Sequence, residues 1–100
     1  MLIITGHVYI EPSQLALFLA DLKTLAIATR LRAGNIAYHA AVEDAETGQV
    51  LVSERWADQA SLNAHLQATD TMAFVSKWEG KMRGDIRKFD AANERALSEP

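Results

Sequence analysis

With 100 residues and a formal net charge of −3, the chain can bury one core but not two, and it lacks the basic surplus of a nucleic-acid-binding domain. It contains no cysteine, which excludes disulfide staples and thiolate metal or redox sites. The densest basic stretch, residues 81–88, is interrupted by Asp85. The longest apolar stretch, residues 15–31, carries Asp21, Lys23 and Arg30 and reads as a globular helix rather than a membrane span.

Met1 runs straight into an apolar segment with no positively charged leader and no small-residue cleavage site, so no export signal is expected and a cytoplasmic location is the default. Residues 2–10 are rich in β-branched and aromatic side chains and predict a strand, ended by Glu11-Pro12-Ser13. Pro12 suits the opening of a helix, where its missing N–H would have no partner anyway. From residue 13 to about 32, Leu15, Phe18, Leu22, Leu25 and Thr29 recur at three- and four-residue spacing, which predicts an amphipathic helix closed by Gly34.

Residues 36–44 predict a second strand, Glu46-Thr47-Gly48-Gln49 a turn, and residues 50–57 a third strand. A short helix is expected over 59–67 with Asp58 as its N-cap. Thr69 or Asp70 should cap another helix, with Phe74, Val75, Trp78 and Met82 on one face. Gly84 should then release a fourth strand over roughly 85–90, and the polar residues 91–100 read as a loosely held tail of a single domain spanning 1–100.

The order β-α-β-β-(short α)-α-β is that of an α+β, ferredoxin-like sandwich with a four-stranded antiparallel sheet. Its helices can cover only one sheet face, and a second face meeting water should alternate cleanly with the first. The strands do not alternate cleanly. Ile4, Val8 and Ile10 oppose Ile3 and Tyr9, while Ile36, Tyr38 and Val42 oppose Ala37 and Ala41. Both faces therefore look buried, and a second copy packed face to face in a two-fold homodimer is the physical solution.

The segment Glu54-x-Trp56, the polar Asp58, and Ala60-x-Leu62-x-x-His65 place a carboxylate and an indole two residues apart on one strand face, followed by a helix that turns Leu62, His65 and Leu66 to one side. This pattern resembles the antibiotic biosynthesis monooxygenases, a family that includes quinol monooxygenases. Gly34 and Tyr38 stand at the Gly-x-x-x-Tyr spacing that the family also shows. The resemblance implies a dimeric α/β barrel with a cavity inside each sheet, and cofactor-independent insertion of oxygen from O2 into a quinol or anthrone-like polyphenol. Such an aromatic, once deprotonated, can pass an electron to O2 without flavin or metal.

On that reading His65 takes a proton or hydrogen-bonds an oxygen, Trp56 stacks on the substrate ring, and Tyr38 lines the cavity. The plainer readings are a semi-buried histidine holding a backbone carbonyl and a core tryptophan. Glu54 is a substrate contact or a structural partner across the sheet, the latter favoured over proton transfer.

His7 and His39 lie on strands and are substrate contacts if they face the cavity, which periodicity leaves open. The three histidines form no close pair with a carboxylate at ligand spacing, so no metal is expected. No nucleotide-binding fingerprint is present, so no cofactor is expected. Relatives that oxidise quinols often carry a second histidine where Asp70 stands. The haem-degrading relatives carry an iron-ligating histidine on the helix after the motif, and residues 70–82 contain none. The alternatives are an isomerase of anionic metabolites, for which Arg55 and Arg87 are the candidate cations, and a ligand-binding module without catalysis.

Overall fold

The computed structural model describes residues 1–100. Strand β1 (Leu2–Ile10) leads through a single 3-10 turn at Pro12–Gln14 into helix α1 (Leu15–Thr29). Strands β2 (Asn35–Asp44) and β3 (Gln49–Trp56) follow, then helices α2 (Gln59–Leu66) and α3 (Thr69–Trp78), and finally strand β4 (Met82–Asp90). The sheet order is β2-β3-β1-β4 with every neighbour antiparallel, which is the expected ferredoxin-like α+β fold. The sheet of the single chain is open.

Strand period sets the layout of the site. Residues directly opposite one another on neighbouring strands share a sheet face, their Cβ atoms roughly 4.5–5.5 Å apart. The register therefore builds rows across the sheet: Tyr38, Glu54, Ile4 and Lys88 form one, and Ala40, Val52, Gly6 and Ile86 another. Both rows face the helices. Burial follows the same alternation, with Leu2, Ile4, Val8 and Ile10 of β1 and Val50, Val52, Glu54 and Trp56 of β3 buried.

Only this face is covered by the chain itself. Opposite it, Leu51 is 39% and Phe89 53% exposed; the edge strand β4 is exposed at eight of its nine residues, on both of its faces. Within one chain the second face stays open, as expected of strands that would need a second copy to bury it.

Three boundaries differ from expectation, each for a local reason. Helix α1 ends at Thr29, not near residue 32. The Thr29 hydroxyl donates back to the Leu25 carbonyl at 2.7 Å, and the chain then tightens into i to i+3 bonds, Leu31 N to Ala28 O and Arg32 N to Thr29 O. Helix α3 has Ala68 at its N-cap, not Thr69 or Asp70, and makes no side-chain cap. It stops at Trp78 because Gly80, at φ +79°, turns the chain, so Met82 begins β4 instead of extending the helix and Gly84 lies inside the strand.

The Asp58 cap of α2 is as expected: its carboxylate accepts from the Ser61 N–H at 2.8 Å. Helices α1 and α3 meet where Phe18 packs edge-on to Trp78 at 5.2 Å, and the Trp78 indole donates to Asp21 at 3.0 Å. Beyond Asp90 there is no further helix or strand. Ala91 N donates to the Met1 carbonyl, and Glu94 pairs with Arg55.

Gly34 is a hinge between α1 and β2 rather than a helix cap. Its φ is +81°, and a Cβ there would sit 2.0 Å from the Ser61 hydroxyl oxygen and 2.4 Å from its Cβ. The Gly34 carbonyl accepts from Ala57 N at 2.8 Å, so the turn is pinned against the start of α2. Gly34→Ala should lower stability by about 1–3 kcal/mol from backbone strain, with the overlap adding to it. A urea midpoint unchanged from wild type would contradict this account of the hinge.

Candidate active site

Between the helix-facing side of the sheet and the three helices lies a cavity of about 400 Å³, with 14 of its 20 lining residues hydrophobic. Its floor is the pair of rows described above, where Gly6 contributes no side chain at the centre. Phe18 and Leu22 of α1, Leu62 of α2 and Phe74 of α3 form the roof. At one end Gln59 and Lys88, both exposed and bonded to one another at 2.7 Å, mark the mouth.

The candidate residues of the sequence motif converge here. His65 is 3% exposed, and its ring lies 4.9 Å from that of Trp56 and 5.6 Å, edge-on, from that of Tyr38. Trp56 Nε1 donates to Glu54 Oε1 at 3.0 Å. Tyr38, Glu54 and His65 line the cavity, but Trp56, fully buried, does not. The ring that Trp56 stacks against is therefore His65, and its single donor is already taken by Glu54. In this structure neither its face nor its N–H is open to the cavity, which differs from the expected ring-stacking placement.

His7 and His39 fall on the opposite sheet face, outside this cavity. His7 pairs across Leu51 with Glu43, Nε2 to Oε2 at 3.1 Å, and His39 lies against Arg30 at the β2 edge. The structure groups three or more His, Cys, Asp or Glu side chains nowhere in an arrangement that could hold a metal ion.

The residue that sequence reasoning missed is Arg32. Just past α1, it crosses to α2 and α3, where its Nη1 donates toward His65 Nδ1, Thr71 Oγ1 (3.1 Å) and Thr29 Oγ1 (3.2 Å) while Nη2 pairs with Asp70. Thr71 Oγ1 also lies 3.3 Å from His65 Nδ1. A guanidinium has no acceptor, so Nδ1 of His65 accepts and the ring proton resides on Nε2. Burial, and then the Arg32 charge, hold the His65 pKa down to about 4, with Asp70 opposing. The imidazole is thus neutral at physiological pH and is a donor from Nε2.

Three polar atoms have no protein partner: His65 Nε2, the Tyr38 hydroxyl and Glu54 Oε2. Since no fully buried polar side-chain atom lacks a partner, all three keep some accessible surface, and all three residues line the cavity. Burial raises the Tyr38 pKa well above its ordinary value, with the Glu54 charge adding to the effect, so the phenol stays a donor. Burial likewise raises that of Glu54, while the Trp56 bond opposes.

The site therefore presents two neutral donors and one carboxylate to an apolar space. Nothing in the spacing of Arg32 or Thr71 marks them for this role. An arginine just past a helix end reads as an ordinary complement to the helix dipole.

The chain belongs to the antibiotic biosynthesis monooxygenase family, whose model matches residues 1–78. Solved structures share the fold. A Deinococcus radiodurans protein provisionally named an antibiotic biosynthesis monooxygenase is 19% identical, with 99% of this chain and 100% of that one covered and a TM-score of 0.87. A second structure named as an antibiotic biosynthesis monooxygenase is 24% identical over 93% of this chain and 100% of its own, with a TM-score of 0.82. A conserved protein from Methanosarcina mazei Go1 is 18% identical over 88% and 89%, at 0.79. No curated protein matches the chain.

The depressed His65 pKa has a sign that can be checked. Between pH 6.5 and about 4 the unfolded chain takes up the proton that the folded chain refuses, so this histidine lowers stability as pH falls through that window. Arg32→Met removes one cause of the depression and leaves the opposing Asp70 charge in place. The NMR titration of the His65 ring should then move up from about 4 toward 6.5. A titration unmoved by the substitution would show that Arg32 does not govern the ring.

Proposed function

We propose that this protein is a cofactor-independent monooxygenase acting on a quinol or polyphenolic aromatic. The observation that carries the reading is the convergence of His65 Nε2, the Tyr38 hydroxyl and Glu54 on one apolar cavity of about 400 Å³, a size usual for small-ligand sites. In the reaction one oxygen atom of O2 enters the ring carbon and the other leaves as water, so a quinol gives a hydroxyquinone and an anthrone gives a quinone. Such a substrate supplies its own electrons once deprotonated. The protein has to dock a flat apolar ring, remove a proton and stabilise the resulting anion.

His65 suits the last of these tasks. With Nδ1 occupied from behind, it offers Nε2–H to a developing phenolate or peroxide oxygen, and Tyr38 offers a second donor. Preorganised donors in a dry site cost no reorganisation at the moment of reaction. The isomerase alternative requires a cation inside the cavity. Arg55 lies away from it and pairs with Glu94 at 3.0 Å, while Arg87 reaches the lining but is bonded to Asp85 at 3.1 Å.

An oxygen-electrode assay with a naphthoquinol, on protein free of flavin and haem by absorbance, tests the reading. Oxygen uptake should match substrate loss one to one. His65→Ala should lower kcat by about 10²–10³-fold, the usual effect of deleting one oxyanion donor. The wild-type rate should show no His65 inflection at the 6–7 of an ordinary imidazole, because the ring remains neutral down to about pH 4. Binding of the quinol without oxygen uptake would favour the ligand-binding module.

The working unit in this reading is a homodimer of the 1–100 domain, placed by default in the cytoplasm. No helix is long and apolar enough to cross a membrane. A second copy would cover Ile3, Leu51 and Phe89 on the open sheet face. Sedimentation equilibrium at micromolar concentration should return twice the 11.0 kDa chain mass, and a single-chain mass would refute the dimer.

A further inference from the structure

The oxygenase reading needs a proton acceptor, and His65 does not supply one. Its Nδ1 already accepts from Arg32, and its Nε2 already carries a hydrogen. Among the lining residues Glu54 is the single carboxylate. Its Oε1 is pinned by the Trp56 indole at 3.0 Å, and its Oε2 meets no protein donor and is not sealed from solvent, in a residue that lines the cavity. On β3 it stands directly opposite Tyr38 on one side and Ile4 on the other, in the row that forms the cavity floor.

We infer that Glu54 is the catalytic base, with Oε2 receiving the proton that converts the bound aromatic into its oxidisable anion, and with Trp56 as the positioning residue that aims the carboxylate. The inference rests on the oxygenase reading for its substrate class. With an anthrone as substrate, the C–H bond of the ring methylene breaks, the proton forms an O–H bond on Oε2, and the electron pair delocalises onto the carbonyl oxygen. That oxygen then accepts hydrogen bonds from His65 Nε2 and the Tyr38 hydroxyl. No oxidant takes part in this step, so it proceeds without O2.

Geometry gives each group one task. A carboxylate with one oxygen tied and one free has a fixed direction of attack, and the surrounding apolar walls make it a stronger base than it is in water. The charged and titratable groups around it are Tyr38 from β2, His65 from α2, Arg32 behind His65, and Arg87 and Lys88 from β4. None of them bonds the carboxylate, so its charge is held in place by the indole alone.

The test is anaerobic exchange of the ring-methylene hydrogens of anthrone in D2O, followed by NMR beside oxygen uptake on the same preparations. Wild type should catalyse exchange. Glu54→Gln, which keeps the Trp56 hydrogen bond and the side-chain shape, should lose exchange by about 10²-fold or more. Glu54→Asp should recover part of it. Binding of the product quinone should change less than about threefold in Glu54→Gln.

Folding provides a control that the variant remains intact. A buried carboxylate with a raised pKa weakens the fold as pH rises through that pKa, so Glu54→Gln should melt higher than wild type at pH 8 and not at pH 4. Exchange by Glu54→Gln within about threefold of wild type, or no exchange by wild type, would overturn the inference. Wild-type exchange with no oxygen uptake would retain Glu54 as the base while refuting the oxygenase reading, and oxygen uptake indifferent to Glu54→Gln would do the reverse.

Discussion

A guanidinium can only donate hydrogen bonds, and the site is organised around that asymmetry. Because Arg32 stands behind His65, the imidazole has one state available to it: neutral, with its proton on the cavity side. An unrestrained histidine near pH 7 would exchange between two tautomers and a cation, and the hydrogen-bonding sign of the cavity wall would fluctuate with it. Holding a charged group next to a buried ring carries a desolvation cost. Here it is offset by the Asp70 carboxylate and the hydroxyls of Thr29 and Thr71. That cluster draws on the end of α1 and the start of α3, so the geometry of α2 is tied to both.

The strand period does the rest. Glu54 and Trp56 are two residues apart and so share a face, which lets the indole reach back to the carboxylate along one strand. Tyr38 joins them through register and not through sequence proximity. The same alternation sends His7, His39 and Arg55 to the far face, which leaves His65 as the one imidazole that lines the cavity. The open cavity follows from how the helices sit. Phe18 and Trp78 bring α1 and α3 together, and β4 remains almost wholly exposed, so an entrance opens along that edge.

Element order, sheet class, the Asp58 cap, the shared face of Glu54 and Trp56 and the inward turn of His65 were legible because they rest on local rules: period, capping chemistry and spacing along one strand or helix. Helix ends were less legible. Thr29 curls the chain through a hydroxyl-to-carbonyl bond that no apolar pattern reports, and Gly80 rather than Gly84 turns the chain into β4. The roles within the site were the least legible. Trp56 reads as a substrate platform when seen on its strand alone, and only the packing shows that its face is occupied by His65 and its N–H by Glu54. Arg32 and Asp70 lie far apart in the chain, and their meeting depends on how α1 terminates.

In the proposed reaction, these placements would let a small domain activate an aromatic ring for attack on O2. In water a phenolate or enolate is stabilised by many mobile dipoles, which must reorganise as charge moves out toward oxygen. Inside an apolar cavity two fixed donors meet the anion in a medium of low dielectric constant, where each interaction is stronger and the reorganisation has been completed by folding. The same medium disfavours a bare carboxylate, which makes Glu54 readier to accept a proton than it would be in solvent. The apolar lining, the neutral donors and the desolvated carboxylate are therefore one device in that proposal. Loosening any one of them by admitting water would weaken the other two, so on the proposed reading the residues that shape the cavity walls would matter to the chemistry as much as those that touch the proton.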